Sequence, residues 1–306
     1  MGGRCATRRV EDQPVDHGVI FLHGSDPGFL EAMVPDGAPG ALPGWPERVH
    51  GSGAPCQPDA FSPGESRAAF RRGVSAFPKR LAVGTDVRLG TRVVALSPGD
   101  RSVSVRVEGG IEMSARVVVL ALPAEQARDL AATLPDGVPD VEAAKLLLGG
   151  AGTHACLTVI AGYAPDSEGP EWDVDYPEDS RVLQLVSHDS SKREGSGSLV
   201  LVFQARPRWS RERLESPREA WTAEVLEEAG RLIGPWAARP LWHQSHRWRY
   251  ARVDIGSELA GPMLLALPGG GRLGLAGEIF WPGGGVEAAW MSGGRLAERI
   301  LAETKP

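Results

Sequence analysis

Residues 273–293 read LGLAGEIFWPGGGVEAAWMSG, and this stretch carries the clearest indication of the fold. It predicts a strand that ends at Gly277 and Glu278, a loop, and a helix over 286–302 that follows three glycines. A glycine-rich start leaves the first N–H groups of a helix uncovered, so they and the positive end of the helix dipole can hold anionic oxygens. The carboxyl end of a strand is where ligands bind in open α/β sheets. The simpler alternative is an ordinary strand, turn and helix without a ligand.

Two further glycine patterns near this stretch match dinucleotide-binding fingerprints only formally. Gly269, Gly271 and Gly274 satisfy G-x-G-x-x-G, but a strand follows them rather than a helix. The variant G-x-G-x-x-A ends at Ala288, and the 18 residues after it are too few for the rest of a βαβ unit, which needs roughly 30 residues. Neither pattern therefore predicts a complete dinucleotide fold.

Upstream, hydrophobic periodicity predicts a chain that mixes helices and strands. Residues 24–66 are rich in Gly, Pro and Asp and predict an irregular loop. The apolar run 117–123 is typical of a strand that is covered on both faces. An antiparallel meander is predicted from the strands 87–89, 92–96, 102–107 and 111–116. Further predicted strands are 157–161, 182–187, 199–204, 263–267 and 272–276, and the predicted helices are 67–83, 124–134 and 217–233.

Composition narrows the function classes. The 306 residues carry a net charge of −6, which gives no basic footprint for nucleic acid. The three cysteines are far apart in sequence, so no disulfide framework and no metal site are predicted, and reduced thiols in the cytoplasm fit best. No apolar run reaches membrane length, so no membrane association is predicted. A small-molecule substrate is the expected partner, and the sequence does not indicate an oligomeric state.

The N-terminal residues GGRCATRR, at 2–9, supply a second motif, together with Asp16-His17-Gly18 and the segment HRWRYA at 246–251. With the C-terminal stretch, they occur in the order found in flavin-containing amine oxidases, and the chain resembles this family, especially its renalase-like branch. The strand at Val87 and the run 117–123 also resemble family elements. The match is specific at the two chain ends and loose in the middle.

The resemblance implies an α/β fold: a Rossmann-like FAD/NAD(P)-binding domain with a second, β-rich α+β substrate domain. We expect residues 1–24, 85–135 and 262–306 in the FAD-binding domain, and 25–84 and 136–261 in the substrate domain. The family has a strand, a G-x-G-x-x-G turn, a helix and a second strand before the Gly-Gly-Arg motif. We therefore expect this FAD-binding domain to be truncated at its N-terminus, with Met1 a misplaced start or a trimmed end.

The resemblance also implies which residues meet FAD. The Arg4 region would meet the phosphates and the flavin edge, Val87 the adenine side, Glu278 the ribityl or pyrophosphate region, and the start of the last helix the flavin pyrimidine. The expected cofactor-binding residues are Gly3, Arg4, Val87, Gly277, Glu278, Gly285 and Val286.

Aromatic side chains are the candidates for the substrate face. Trp248, Tyr250 and Trp281 offer flat surfaces for stacking, although ordinary core packing explains them equally well. Arg4 has the alternative of a surface cation. His243 and His246 are three residues apart and lack a third ligand nearby, so they predict no metal site. No catalytic residue is identified.

The implied activity is a flavin-dependent oxidation. A hydride would pass from an amine or a reduced nicotinamide-like donor to flavin N5, and dioxygen or another acceptor would reoxidise the flavin. Such a transfer needs orientation more than a dedicated acid or base, so the sequence does not choose between the donors. Two alternatives stay open: a cofactor-free relative that binds a small ligand or a partner, and an unstable fragment.

Overall fold

The computed structural model describes residues 2–10, 12–53, 56–57, 59–164, 167, 169–193 and 198–304. Met1, on which the expectation about the chain start depends, lies outside these residues. Helices and strands occur along the whole described chain, as the predicted mixed α/β class requires. The helices are α1 (Pro27–Met33), α2 (Ala76–Leu81), α3 (Ala124–Ala131), α4 (Pro139–Gly150), α5 (Pro207–Arg213), α6 (Arg218–Leu232) and α7 (Gly285–Thr304).

The strands of the described chain form five sheets. In chain order they are β1 (Thr7–Val10), β2 (Gln13–Asp16), β3 (Leu22–Gly24), β4 (Ala41–Pro43), β5 (Val49–His50), β6 (Ser66–Phe70), β7 (Val93–Gly99), β8 (Ser102–Val107), β9 (Glu112–Ala115), β10 (Val117–Leu120), β11 (Thr153–Tyr163), β12 (Val174–Asp175), β13 (Leu183–His188), β14 (Leu199–Ala205), β15 (Trp242–Val253), β16 (Met263–Ala266) and β17 (Arg272–Leu275).

Contacts between residues divide the chain into two compact units. Unit 1 comprises the chain up to Thr85 together with His154–Ala251, and unit 2 comprises Asp86–Thr153 together with the chain from Arg252 onward. The expected domain boundaries place residues 1–24 with the FAD-binding segments, whereas these contacts group them with unit 1. The assignment of functions to domains stays a prediction.

Unit 1 is built on a six-stranded sheet in the order β15-β11-β14-β13-β12-β5. The central strand β14 is buried along its whole length, and its side chains alternate between two apolar cores. Leu201 and Phe203 pack in the core that contains Trp221 of α6. Val200 and Val202 pack in the opposite core. Because successive residues of a strand point to opposite faces, both faces of β14 are covered by apolar side chains.

The N-terminal segment contributes to that opposite core. Val15, Ile20 and Phe21 are buried there together with Ile160 of β11 and Leu185 of β13. This packing is the physical reason why residues 1–24 belong to unit 1. The same unit contains the antiparallel pair β1-β2 and the three-stranded sheet β3-β6-β4.

Unit 2 contains the antiparallel meander β7-β8-β9, as the sequence predicts, and the sheet β10-β17-β16. Strand β10 pairs with β17 in parallel, and β16 pairs with β17 antiparallel. Strand β10 has a sheet neighbour on one side only, and Val119 is 43% exposed. Val118 and Leu120 pack in the core of unit 2, whereas Val119 points to the opposite face and is exposed, so the prediction that 117–123 is a strand covered on both faces is wrong.

Three other local predictions differ from the structure. Residues 24–66 include the helix α1, which begins after Asp26, a residue whose carboxylate accepts the Phe29 N–H at 2.8 Å. The predicted helix over 67–83 is a strand followed by the short helix α2. Residues 87–89 form no strand, so the predicted strand at Val87 is wrong.

Among the described residues, no helix is long and apolar enough to cross a bilayer.

Candidate functional site

A tight turn at the N-terminus positions Arg4 within unit 1. Gly2 and Gly3 have φ angles of 116° and 51°, which allow the 3₁₀ turn Gly3–Cys5. The Arg4 carbonyl accepts a hydrogen bond from the Val19 N–H at 2.9 Å. The Arg4 guanidinium donates to the carbonyl of Ala251 at 3.4 Å. Arg4 thus joins the segment after β2 to strand β15.

Gly18 allows the closest backbone approach in this region. A Cβ at this position would lie 2.3 Å from the Arg4 carbonyl oxygen and 2.9 Å from Cζ2 of Trp248. The Gly18 carbonyl accepts from Nε2 of Gln204, on β14, at 2.6 Å. Two predicted site residues, Arg4 and Trp248, therefore meet at a glycine where no side chain fits.

Three aromatic rings pack together beside Gly18. The ring centroid of His17 lies 5.2 Å from the ring centroid of His246 and 5.2 Å from that of Trp248. The ring centroids of His246 and Trp248 are 4.3 Å apart. Trp248 Nε1 donates to the His17 carbonyl at 3.0 Å. His17 is only 4% exposed, and within the described chain its Nδ1 has no hydrogen-bond partner.

Arg8, on β1, approaches the same face of β15. Its guanidinium donates to Gln244 Oε1 at 3.0 Å and lies 3.3 Å from His246 Nδ1. A guanidinium has no acceptor, so His246 Nδ1 must accept, and His246 is neutral with its proton on Nε2. Arg218, the first residue of α6, donates to the carbonyl of Ser245 at 3.2 Å. We call the set Arg8, His17, Arg218, Gln244, His246 and Trp248 the arginine–histidine cluster.

The electrostatics of this cluster follow from burial and like charge. Burial, Arg8 and His246 together lower the pKa of His17 to about 4. Burial, Arg8 and Arg218 lower the pKa of His246. The pKa of Arg8 is itself lowered by burial and by Arg218. At neutral pH both histidines are uncharged, and the positive charge of the cluster is on the two arginines.

A buried ionic network holds the backbone that precedes His17. Asp16, Asp189 and Lys192 are all fully buried, and Lys192 Nζ lies 2.9 Å from Asp16 Oδ2 and 2.8 Å from Asp189 Oδ1. Arg193 binds both carboxylates, at 3.0 and 2.7 Å. Because each buried charge has partners, the network fixes Asp16 and thereby the start of the His17-Gly18 segment.

Unit 2 contains the predicted strand, acid and glycine-started helix. Glu278 is 5% exposed and accepts the Gly285 N–H at 2.9 Å, so its carboxylate caps the start of α7. The Gly277 N–H donates to Ser292 Oγ at 3.1 Å. A Cβ on Gly283 or Gly285 would meet no atom within 4 Å. The start of α7 therefore has open space beside its backbone, as a ligand that approaches the main chain needs.

The remaining predicted site residues have varied surroundings. Val87 is 42% exposed in a segment without regular structure. Tyr250 is half-buried and lies two residues after Trp248 on β15, so the two side chains share one face of the strand. Trp281 is half-buried in unit 2, four residues before α7. The structure thus brings Arg4 together with Trp248 in unit 1, and Gly277 and Glu278 together with Gly285 in unit 2.

Sequence reasoning missed the roles of Arg8 and Arg218 and left His17 without one. Gln244, His246 and Trp248 lie at alternate positions of a strand, a pattern that indicates one shared face. His17 follows an acid in a motif already noted, but its burial depends on contacts with β15. Among the described residues, no three His, Cys, Asp or Glu side chains are arranged to hold a metal ion.

Comparison with known proteins gives one family match. A family model described as flavin-containing amine oxidoreductase matches residues 40–301. This range includes strand β15 and the start of α7, and therefore much of both candidate regions.

Solved structures are similar in fold. Cyclohexylamine oxidase from Brevibacterium oxydans IH-35A has 16% identity and a TM-score of 0.56, with 78% of this chain and 55% of that chain covered. Wild-type putrescine oxidase bound to putrescine has 19% identity and a TM-score of 0.53, with 78% and 54% covered. This chain spans about half the length of those proteins. These likenesses confirm the predicted fold class.

Proposed function

Because this chain belongs to the flavin-containing amine oxidoreductase family, we propose that it is an FAD-dependent oxidoreductase that oxidises an amine or a reduced nicotinamide-like donor. The predicted family is confirmed by the match over residues 40–301. That match is the observation that carries the proposal. FAD as the particular flavin and the renalase-like donor chemistry are parts of the proposal.

The start of α7 fits a flavin nucleotide in two respects. Open space beside Gly283 and Gly285 admits a ligand close to the main chain. Glu278 is an acceptor-only carboxylate, which suits hydroxyl donors and repels phosphate. We therefore assign Glu278 to the ribityl hydroxyls rather than to the pyrophosphate, with Gly277, Gly285 and Val286 beside it.

When bound, FAD would supply N5 as the hydride acceptor. The contribution of the protein to such a step is orientation and exclusion of water. In unit 1, Trp248 and Tyr250 present flat surfaces on one face of β15, and the neutral His17 ring packs against Trp248. We propose that this face orients the donor, and that Arg4 with Gly3 approaches the cofactor. Val87 and Trp281 stay weaker candidates for the adenine and substrate contacts.

The test begins with the visible spectrum. The protein is incubated with excess FAD, unbound FAD is removed, and the absorbance and thermal midpoint are recorded. We expect a retained oxidised-flavin spectrum and a higher midpoint, because a ligand present at 100 times its Kd stabilises the folded state by about 2.7 kcal/mol. Anaerobic addition of NADH, NADPH or putrescine should then bleach the retained flavin if that compound is a donor.

Glu278→Gln provides the site-specific comparison, and Glu298→Gln on the exposed surface of α7 is its matched control. We expect weaker FAD retention, by about tenfold, for the first variant and unchanged retention for the second. A folded protein that stays colourless with FAD would contradict the proposal. It would favour the alternative of a cofactor-free relative that binds a ligand or a partner.

A further inference from the structure

Among the residues that the structure describes, the two arginines of the arginine–histidine cluster contact no acidic side chain. Arg8 contacts Gln244 and His246, and Arg218 contacts the Ser245 carbonyl, so every acceptor is neutral. Within the described chain, neither guanidinium forms an ion pair. Some other arginines of unit 1 donate to backbone carbonyls, as Arg206 does. Five pair with a carboxylate: Arg48, Arg193, Arg213, Arg231 and Arg249.

Two described acids near the cluster residues in sequence are paired with other cations. Asp16 binds Lys192 and Arg193, and Glu215 binds Arg249. Glu219, next to Arg218, is exposed on the first turn of α6. Arg218 itself lies at the N-terminal end of α6, where the helix dipole adds further positive potential.

Arg8 is half-buried and carries a positive charge near that of the exposed Arg218, so without a counter-charge the Arg8 guanidinium is unfavourable in the free protein. Like charge and partial desolvation both oppose the arrangement, and the lowered pKa of Arg8 reflects this opposition. An anion placed between the guanidiniums would remove the repulsion and gain charge-assisted hydrogen bonds. Strained charge of this kind is typical of binding sites.

The neighbours of the arginines also suit an anionic molecule with a flat part. His17 and His246 are neutral and add no repulsion toward apolar or aromatic groups. The buried Nδ1 of His17 lacks a hydrogen-bond partner in the described chain, although buried polar atoms are usually satisfied. Trp248 and Tyr250 lie on the same face of β15 and can stack on a planar ring.

We propose that the arginine–histidine cluster binds the anionic group of the substrate, so that the donor is a phosphate- or carboxylate-bearing molecule rather than a free amine cation. This inference rests on the proposed function, because it names the substrate class of that oxidation. A diamine such as putrescine would be repelled by Arg8 and Arg218.

The test measures anion binding directly, by calorimetry with pyrophosphate and with succinate as separate probes and putrescine as the cationic comparison. Wild-type protein is compared with Arg8→Gln and Arg218→Gln, with and without saturating FAD. Arg249→Gln is the matched control, because Arg249 also lies on β15 but pairs with Glu215. We expect one anionic probe to bind and each test variant to weaken it by about tenfold, which is about 1.4 kcal/mol. The control should stay within about twofold of wild type.

The stronger probe identifies the source of the anion, phosphate or carboxylate. Arg8→Lys, which keeps the charge, should retain part of the affinity if Arg8→Gln does not fold. No binding of either anion to wild type, or equal binding by wild type and both test variants, would overturn the inference. Retained FAD and equal oxidation of putrescine by wild type and Arg8→Gln would overturn it while the proposed function stands. Anion binding through Arg8 without FAD retention would refute the proposed oxidoreductase. The anion site itself would then stand, but its assignment to the substrate of that oxidation would be overturned.

Discussion

At the scale of single residues, Gly18 determines how closely the N-terminal segment approaches β15. Its missing side chain leaves room for both the Arg4 carbonyl and the Trp248 ring. The contact therefore depends on backbone and aromatic atoms rather than on flexible side-chain ends, and such atoms cannot move aside cheaply.

Gly18→Ala should destabilise the protein, because the added methyl group would overlap the Arg4 carbonyl oxygen. We expect a loss of about 1–3 kcal/mol in the free energy of unfolding, measured by urea denaturation. Gly149→Ala in helix α4 is the control, since a Cβ there meets nothing within 4 Å. That variant should be unchanged or slightly more stable. Equal effects of the two substitutions would show that the close approach is not present in solution.

The buried His17 should make stability depend on pH in a defined window. Its pKa is about 4 in the folded protein against about 6.5 for a histidine in an unfolded chain, so the unfolded chain binds more protons between these values. Stability from His17 is complete above pH 6.5 and is lost as the pH falls toward 4, by about 3 kcal/mol at most. The measurement is urea unfolding at several pH values for wild type and His17→Gln.

His246 and His188 also have lowered pKa values and act in the same direction, so the difference between the two proteins reports His17 together with its coupling to the neighbouring His246. Below this window, protonation of Asp16 also reduces stability. Burial alone would raise the pKa of Asp16, but Lys192 and Arg193 lower it in the folded state by more than burial raises it. Identical slopes for wild type and His17→Gln between pH 4 and 6.5 would mean that His17 is not buried as described.

Residue roles were predictable only where a motif names them. The resemblance singled out Arg4 and Trp248, which the structure brings together at Gly18. Arg8 and Arg218 were not predicted, because a cation becomes noteworthy only when its partners are known. Those partners lie more than 200 residues away from Arg8, and no local pattern reports them.

At the scale of elements, the buried ionic network joins a short 3₁₀ turn at Asp189–Lys192 to the end of β2. Lys192 Nζ also donates to the Ile20 carbonyl at 3.0 Å and lies 4.9 Å from the centre of the Trp45 ring. One buried ammonium therefore links three segments of unit 1.

Lys192→Met should cost about 3–5 kcal/mol in unfolding free energy, because it leaves two buried carboxylates with only Arg193 as a cation. The comparison is Lys79→Met on helix α2, whose exposed side chain should change stability by less than about 0.5 kcal/mol. Guanidinium denaturation of both variants measures the difference. A loss for Lys192→Met no larger than that for Lys79→Met would exclude the network as a source of stability.

Elements with a long, one-sided pattern were predictable, and short ones were not. Helix α6 lies within one residue of the predicted 217–233, and the meander of unit 2 has the predicted partners. Helix α1 was not predicted because it lies in a Gly- and Pro-rich segment. Asp26 as the N-cap and Pro27 in the first turn are nevertheless residues typical of a helix start. Residues 67–70 belong to a predicted helix but form a strand, because their structure is decided by pairing with β3 and β4.

At the scale of the whole molecule, the sequence predicted the mixed α/β class but could not predict how segments combine. Strand β10 pairs with β17, more than 150 residues later, and Val15 packs with β11 and β13. Such long-range pairings leave no local periodicity. The grouping of residues 1–24 with unit 1 follows from these contacts, whereas the resemblance placed them with the FAD-binding segments.

Strand β14, whose two faces are both apolar, has a consequence for folding. In most strands, sliding by one residue would expose apolar side chains to water, and this cost in free energy disfavours the wrong register. In β14 the same slide would exchange the apolar side chains of one core for those of the other, at little cost in apolar solvation, although it would also displace Gln204 from the Gly18 carbonyl. Leu201 and Phe203 would then face the core that accommodates Val200 and Val202. The register of this strand must therefore be fixed by the volumes of its side chains and by the hydrogen bond from Gln204 to the Gly18 carbonyl.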